Sequence, residues 1–436
     1  MTPPTRRRRL NSLFLDLTPF RHSRSFTRLW LGTALGSVGQ EMTVVTVALQ
    51  VYAITSSTFA VSLIAGIALG PMVILGLYGG TLADRFDRRW VAMIASVISW
   101  VAIVVLAVHA WVGGSSLWVL YTAATVNAVA GTVGGITRRA IIPRLLPREL
   151  LPAAGALNGI NMGLMATLGP LLGAAAVGAG GFQTAFLIDA VLHTAAFLGV
   201  WALPALRPLD ESRAAAVGAL RAVRDGLGYL RRADNIRFAL TIDLFAMALA
   251  QPRVLYPALG AVTLGGGVFT VGVLSAAFAA GAMLISLFSG WTGRVRRQGV
   301  AIIVVSYIYA ATIVVAGIIL LFAVIRPVSG TNTPVIVALA LTLAVGGAAD
   351  AVSAIFRGAI LQAAVPDALR GRVQSIFSII VTGGPRVGDV VTGAVASMFA
   401  VWSPLVAGGV AILLVVWVLL HRTPSFRGYD RDDPLS

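Results

Sequence analysis

The stretch Gly80-Thr81-Leu82-Ala83-Asp84-Arg85-Phe86-Asp87-Arg88-Arg89 carries five charges in ten residues and lies between two long apolar runs. A charged side chain at the centre of a bilayer costs about 2.5–3.5 kcal/mol or more, so charges this dense mark a short loop between two membrane helices. Gly79 and Gly80 suit a tight turn at a helix end. Asp84 is suited to accept hydrogen bonds at the positive end of another helix, and Arg85, Arg88 and Arg89 to bind carboxylates or lipid phosphates.

The composition around this loop points the same way. Of 436 residues, 58% are hydrophobic and 11% are charged, and the mean hydropathy is +0.88. A soluble domain carries about 25% charged residues. All 33 basic residues are arginine, and the net charge is +16. Without lysine there is no P-loop to drive the protein with ATP. Without cysteine there is no disulfide, thiolate metal site or cysteine nucleophile. His22, His109, His193 and His421 are scattered and form no metal motif. No constellation for enzymatic chemistry is visible, and neither cofactor nor metal is expected. The arginines flank apolar spans, so they read as signals that hold loops in the cytoplasm, with anionic lipids as neighbours, rather than as a nucleic-acid surface. The N-terminus, with Arg6 to Arg9 and no Ala-x-Ala site, reads as a cytoplasmic tail and not a signal peptide.

A membrane helix needs about 20 mainly apolar residues. Scanning on that rule gives twelve spans, at about 27–54, 57–80, 90–112, 117–138, 152–179, 182–203, 237–259, 267–290, 299–325, 333–357, 372–398 and 403–421. With these boundaries, thirty arginines fall on one side, including Arg138, Arg139 and Arg357. The opposite loops carry only Arg326, while Arg253 and Arg386 fall inside spans. The asymmetry predicts that both termini face the cytoplasm. The expected fold is an all-α membrane protein of two six-helix bundles. Its segments are a basic tail (1–26), a first bundle (27–203), a linker (204–236), a second bundle (237–421) and a C-terminal tail (422–436). In the linker, Leu220, Val223, Leu227 and Leu230 repeat at helical spacing. They predict an amphipathic interfacial helix, with a plain solvated linker as the alternative.

The two halves echo each other, as internal repeats of transporters do. Gly169-Pro170-Leu171-Leu172-Gly173 in span 5 returns as Gly384-Pro385-Arg386-Val387-Gly388 in span 11. The opening loop returns more faintly as Gly290-Trp291-Thr292-Gly293-Arg294-Val295-Arg296-Arg297. Small residues let helices approach closely, so simple helix packing is one reading of Gly169, Pro170 and Gly173.

Ionisable residues inside spans are functional candidates by default. Glu41 lies near the middle of span 1 with no partner in its own helix, which makes it the first candidate for carrying a proton; Asp243, Asp189 and Asp389 follow. A carboxylate shielded from water holds its proton more tightly and can load and release it as access alternates. Asp189 can instead pair with His193 at i,i+4, and Asp389 with Arg386 at i,i+3. Asp350 reads as bonding helix ends near the cytoplasm. Arg253 and Arg386, with Gln251 and Asn127, are candidates for lining a substrate cavity; Asn127, Asn158 and Asn161 can also bridge helices.

The pattern Gly-x-Leu-Ala-Asp-Arg-x-x-Arg-Arg resembles the signature loop between helices 2 and 3 of major facilitator superfamily transporters. The resemblance implies a latch that closes the cytoplasmic side, formed by Gly80, Asp84, Arg85, Arg88 and Arg89; Asp87 departs from the usual glycine. Gly169-Pro170-x-x-Gly173 resembles the antiporter motif of exporting members, with Met165 and Ala174 where glycines are usual. Arg253-Val254-Leu255-Tyr256-Pro257-Ala258-Leu259, and the run from Ala351 through Leu361-Gln362 and Gly371-Arg372 to Gly388-Asp389, resemble the enterobactin-exporter branch. This implies a monomeric carrier in the bacterial plasma membrane that exports a siderophore or hydrophobic drug, driven by the proton gradient. An importer of a small solute, or a lipid flippase on the same fold, is the alternative.

Overall fold

The structure, a computed structural model, describes residues 16–206, 219–231, 233–249, 251–423 and 425–429. Within these, the side chains of 77–84, 219–223, 293–294, 367–368, 370–371 and 375 lie outside the description, as do the tail arginines Arg6 to Arg9. The described residues form helices and no strand. After a short turn at Thr18–His22 come α1 (Arg24–Thr55), α2 (Thr58–Arg85), α3 (Arg88–Trp111) and α4 (Leu117–Leu145). Leu151–Trp201 runs on through a break at Gly180 and Gly181, and its limbs 151–179 and 182–201 are α5 and α6. Past the linker helix Ala219–Leu230 come α7 (Asp234–Leu249), α8 (Gly267–Leu287), α9 (Gln298–Ile325), α10 (Thr333–Ala364), α11 (Asp367–Met398) and α12 (Ser403–Arg422). Nine of the described segments are long and apolar enough to cross a membrane, the 54-residue segment that contains α5 and α6 counting once. Large apolar side chains such as Trp118, Val191, Phe269 and Phe399 are exposed on the outer surface, as they are where lipid is the solvent.

The breaks have local causes. Gly181 has φ 77° and ψ −178°, a region essentially restricted to glycine, so the chain reverses there between α5 and α6. The reading of span 7 as one continuous helix is corrected. α7 stops at Leu249, and the chain resumes as a 3-10 turn over Pro252–Leu255, a helical turn over Tyr256–Ala258 and a wider π turn over Leu259–Thr263. Pro252 and Pro257 each lack an amide hydrogen, which prevents a regular ladder. Asp87 caps α3 by accepting from the Arg89 amide at 2.9 Å. Ser23 caps α1, its Oγ accepting from the Phe26 amide at 3.2 Å.

Glycines set the helix spacing. A methyl group at Gly169 would lie 3.0 Å from the Val38 carbonyl oxygen, and one at Gly173 3.0 Å from the Met42 Cα, so α5 presses directly on the backbone of α1. The repeated motif does the same work in the second half. A methyl group at Gly384 would lie 3.0 Å from the Met247 Cβ, and one at Gly388 would strike the Met247 carbonyl, so α11 presses on α7. α2 meets α11 where Gly66 faces Val390 and Gly393 faces Ser62, and α5 meets α8 where Gly272 faces Ala174. The linker helix docks on the second half through a 3.4 Å ion pair from Asp225 to Arg372 and a Tyr229 hydroxyl that donates to the Ala364 carbonyl at 3.2 Å. Leu230 is buried there and Leu227 is half exposed.

Gly173→Leu should destabilise the protein by about 1–3 kcal/mol through overpacking against α1. Gly159→Leu, at a position with open space around it, should be close to neutral. Thermal unfolding of the two variants in detergent micelles checks the difference.

Candidate functional site

The break after α7 carries Arg253 into the middle of the molecule. Its Nη1 lies 4.0 Å from Glu41 Oε2 on α1, and its Nη2 lies 3.5 Å from Asp389 Oδ2 on α11. Glu41 therefore has a partner, supplied by an element more than two hundred residues away. Asp389 does not pair with Arg386, as the i,i+3 spacing suggested. Because Gly384 and Gly388 seat α11 against α7, Arg253 reaches Asp389 instead. Among the described residues, Arg386 makes no ion pair with a carboxylate. Arg253, Arg386 and Asp389 form the polar wall of a small central cavity, lined on its other sides by Val44, Val45 and Ala48 of α1, Val61, Ile64 and Ala65 of α2, and Val271 and Ser275 of α8. Arg253 is 42% exposed to this space and Asp389 7%. Gln251 precedes the turn and packs over Gly388, outside the cavity lining.

A second cluster is closed. Arg357 of α10 places Nη2 2.8 Å from Asp243 Oδ1 and 3.7 Å from Asp350 Oδ1, and its Nη1 donates to Ser353 Oγ at 2.8 Å. The arginine census assigned Arg357 to the cytoplasmic set and Asp350 to helix ends. The structure buries Arg357 to 4% exposure and makes it the shared partner of both aspartates. Such a pair is expensive to break, because the survivor is left as an uncompensated buried charge. Asp243 is thus held in an ion pair that pins α7 to α10.

The first half holds a linear chain. Asp189, fully buried, accepts from the Thr43 hydroxyl of α1 and lies 2.7 Å from His193 Nδ1, the i,i+4 pairing the spacing allowed. His193 Nε2 is 3.3 Å from Ser99 Oγ of α3, and Ser99 donates to Asn127 Oδ1 of α4. Asn127 therefore bridges helices and is absent from the central cavity lining. The close approach depends on Gly39, where a side chain would run into the Asp189 carboxylate. Thr43 and Ser99 carried no signal in the sequence, since hydroxyls are common in membrane helices and only the fold brings them together.

The expected turn at Gly79 and Gly80 is corrected: α2 continues as helix through Gly80 and Asp84 to Arg85, so only Phe86 and Asp87 separate it from α3, while the side chains of Gly80 and Asp84 lie outside the description. Arg88 Nη1 donates to the Ala140 carbonyl at 2.9 Å, and Arg89 Nη2 to the Trp201 carbonyl at 2.7 Å. Asp87, which stood out from the usual pattern, accepts from the Leu206 amide through both oxygens at 3.2 Å. It fastens the loop to the start of the linker, a role that a glycine there could not fill.

Comparison with known proteins supports this picture. The profile of the transmembrane secretion effector family matches residues 15–433. The enterobactin exporter EntS of Shigella boydii serotype 18 is 26% identical over 424 residues, covering 97% of both chains. The EntS of Salmonella typhimurium is 26% identical over 430 residues, covering 98% of both. Among solved structures, the nucleoside transporter NupG superposes with a TM-score of 0.67 at 15% identity, covering 91% of this chain and 98% of that one. A POT family transporter in complex with a thioalcohol-conjugated peptide reaches a TM-score of 0.71 at 11% identity, covering 92% and 96%. At these identities the two structures speak to the fold alone.

The two arginine environments predict opposite outcomes. Arg357→Met should lower stability by about 3–5 kcal/mol by stranding Asp243, and adding Asp243→Leu should recover most of that loss. Arg386→Met breaks no ion pair and should leave the melting temperature near that of the parent. Thermal unfolding in micelles reads all three.

Proposed function

The chain belongs to the transmembrane secretion effector family of the major facilitator superfamily and is a multi-pass membrane transporter, not an enzyme; on that premise we propose that it is a proton-coupled exporter of a siderophore or a hydrophobic drug-like molecule. In this reading α1–α6 and α7–α12 are two six-helix bundles that rock about the central cavity, with both termini in the cytoplasm. The observation that carries it is Arg253, held between Glu41 of one bundle and Asp389 of the other. The EntS relatives, with their printed export activity and near-full-length match, support the direction and the substrate class.

The chemistry follows from competition. When Glu41 and Asp389 are both ionised, they share one guanidinium across the two halves. A proton on Glu41 removes its attraction and leaves Arg253 with Asp389, which frees α1 to move. A substrate that donates hydrogen bonds or positive charge to Glu41 binds the ionised carboxylate and so excludes the proton. Mutually exclusive occupancy is what antiport needs. Among the described residues Arg386 makes no close ion pair, although Asp389 and Glu41 lie near enough to attract it, and it faces the cavity where an acidic group of the substrate can reach it. The loop from Gly80 to Arg89 acts as the latch, with Arg88, Arg89 and Asp87 seating it on α4, α6 and the linker.

One feature favours the alternative of import. An anion that bound only at Arg253 would displace Glu41, and the released carboxylate would take up a proton more readily, which couples proton and substrate in the same direction. Direction of transport decides between them. Everted membrane vesicles energised to an acidic interior should accumulate enterobactin or ethidium, and accumulation confined to right-side-out vesicles would sink the export reading. Glu41→Gln, a mimic of the protonated carboxyl, should abolish accumulation driven by the pH gradient and also weaken substrate binding. Full gradient-driven transport by that variant would remove Glu41 from the coupling role.

A further inference from the structure

A second cavity lies between α1, α4 and α5. It runs from Phe26 and Trp30 near the start of α1 to Gln40, and it shares no lining residue with the central cavity. Arg138 lines it. The arginine census had placed Arg138 in a cytoplasmic loop, but it sits within α4, one turn beyond Gly134. Its Nη2 donates to Ser96 Oγ at 3.1 Å, and its Nε is buried with no hydrogen-bond partner. Among the described residues it makes no ion pair. Across the cavity, Asn161 is 4% exposed and its Oδ1 is likewise buried without a partner.

An unpaired guanidinium inside a membrane helix bundle is expensive. Arg357 answers that expense with two aspartates and Arg253 with two carboxylates; Arg138 has a single neutral hydroxyl. The cavity is lined by two guanidinium groups, those of Arg138 and the more exposed Arg139, by carboxamides able to turn either end inward, and by a wall of Phe26, Trp30, Met162 and Met165. That set matches an aromatic or otherwise apolar body bearing one acidic group. The apolar wall takes the body, and the guanidinium takes the carboxylate or phenolate by charge-assisted hydrogen bonds.

We infer that the Arg138 cavity is a second substrate subsite, which takes small aromatic organic anions. The inference rests on the transporter reading above and adds the substrate's charge. It also answers the coupling difficulty. An anion bound at Arg138 is held apart from Glu41 and Asp389, so it does not draw protons onto them as one bound at Arg253 would.

The test uses the purified full-length protein in detergent micelles, titrated with benzoate and with neutral benzamide while thermal unfolding is followed. Benzoate should raise the melting temperature more than benzamide does. Arg138→Gln should raise the half-maximal benzoate concentration about tenfold, the loss of one charge-assisted contact, and leave the benzamide response unchanged. Arg138→Lys should keep most of the benzoate response, and Asn161→Ala should weaken it severalfold without any change of charge. Arg386→Gln should leave the component that depends on Arg138 in place. The same benzoate titration in parent and in monodisperse Arg138→Gln overturns the inference, as does a parent protein that responds equally to benzoate and benzamide. An Arg138-dependent shift with phosphatidylglycerol, with benzoate inert, assigns the site to a lipid headgroup and overturns it too. Because no transport is measured, failure of export in everted vesicles leaves this result independent of the direction of transport.

Discussion

Arg253 is the point on which the two halves of the molecule meet chemically. A guanidinium at this depth needs acceptors, and it finds one on α1 and one on α11. Reaching them requires several things at once. The helix must break after Leu249 so that Arg253 leaves the regular ladder. α11 must lie flat on α7, which Gly384 and Gly388 permit, and α5 must lie flat on α1, which Gly169 and Gly173 permit. The repeated Gly-Pro-x-x-Gly motif is thus a packing device in both halves, and its consequence is electrostatic. It places α1 and α7 where their charges can bridge.

The three other buried charge systems differ in how completely they are satisfied, and that difference separates framework from function. Asp243, Arg357 and Asp350 form a set in which the arginine is shared by two acids and a hydroxyl, although Arg357 Nε and the Asp243 oxygens are buried without a hydrogen-bond partner. Asp189 and His193 lie in a chain of neighbours with no opening to the central cavity. Arg138 is only partly satisfied, and it faces open volume. Interior charges that have an opposite charge as partner hold helices together. Charges that face a cavity and are left partly unanswered are where a ligand gains most, because the desolvation has already been met by folding.

Much of this was legible in the sequence, and the failures share one cause. The charged break between α2 and α3, the reversal between α5 and α6, the pairing of Asp189 with His193 and the presence of a helix in the linker all rest on local spacing, which a sequence displays. Pro252 and Pro257 were also in plain view, yet hydropathy alone read through them as one apolar span. Glu41 looked isolated because its partner is distant in the chain. Arg386 and Asp389 looked paired because i,i+3 spacing places them on one face, and nothing local reveals that a third group lies closer. Arg138 and Arg357 were counted as loop charges because the positive-inside pattern registers where an arginine falls along the chain, not whether its helix extends beyond the apolar run. In both cases α4 and α10 continue past the predicted span, and the arginine turns inward.

These two extended helices bear on how a proton and an anion can share one carrier. Binding is reciprocal: whatever an anion does to proton affinity at a carboxylate, the proton does to anion affinity in return. At the central site the groups are close, so an acidic substrate held by Arg253 favours protonated Glu41 and the two travel together. Export against a proton gradient requires the opposite sign. Separating the acidic group from the carboxylates reverses nothing by itself, but it removes the unfavourable coupling. The sign is then set by whichever substrate groups face Glu41, and hydrogen-bond donors there favour the ionised form. A cavity that runs from Trp30 to Gln40, carries Arg138 and Arg139 along its wall and shares no lining residue with the central site has the layout for that division of labour.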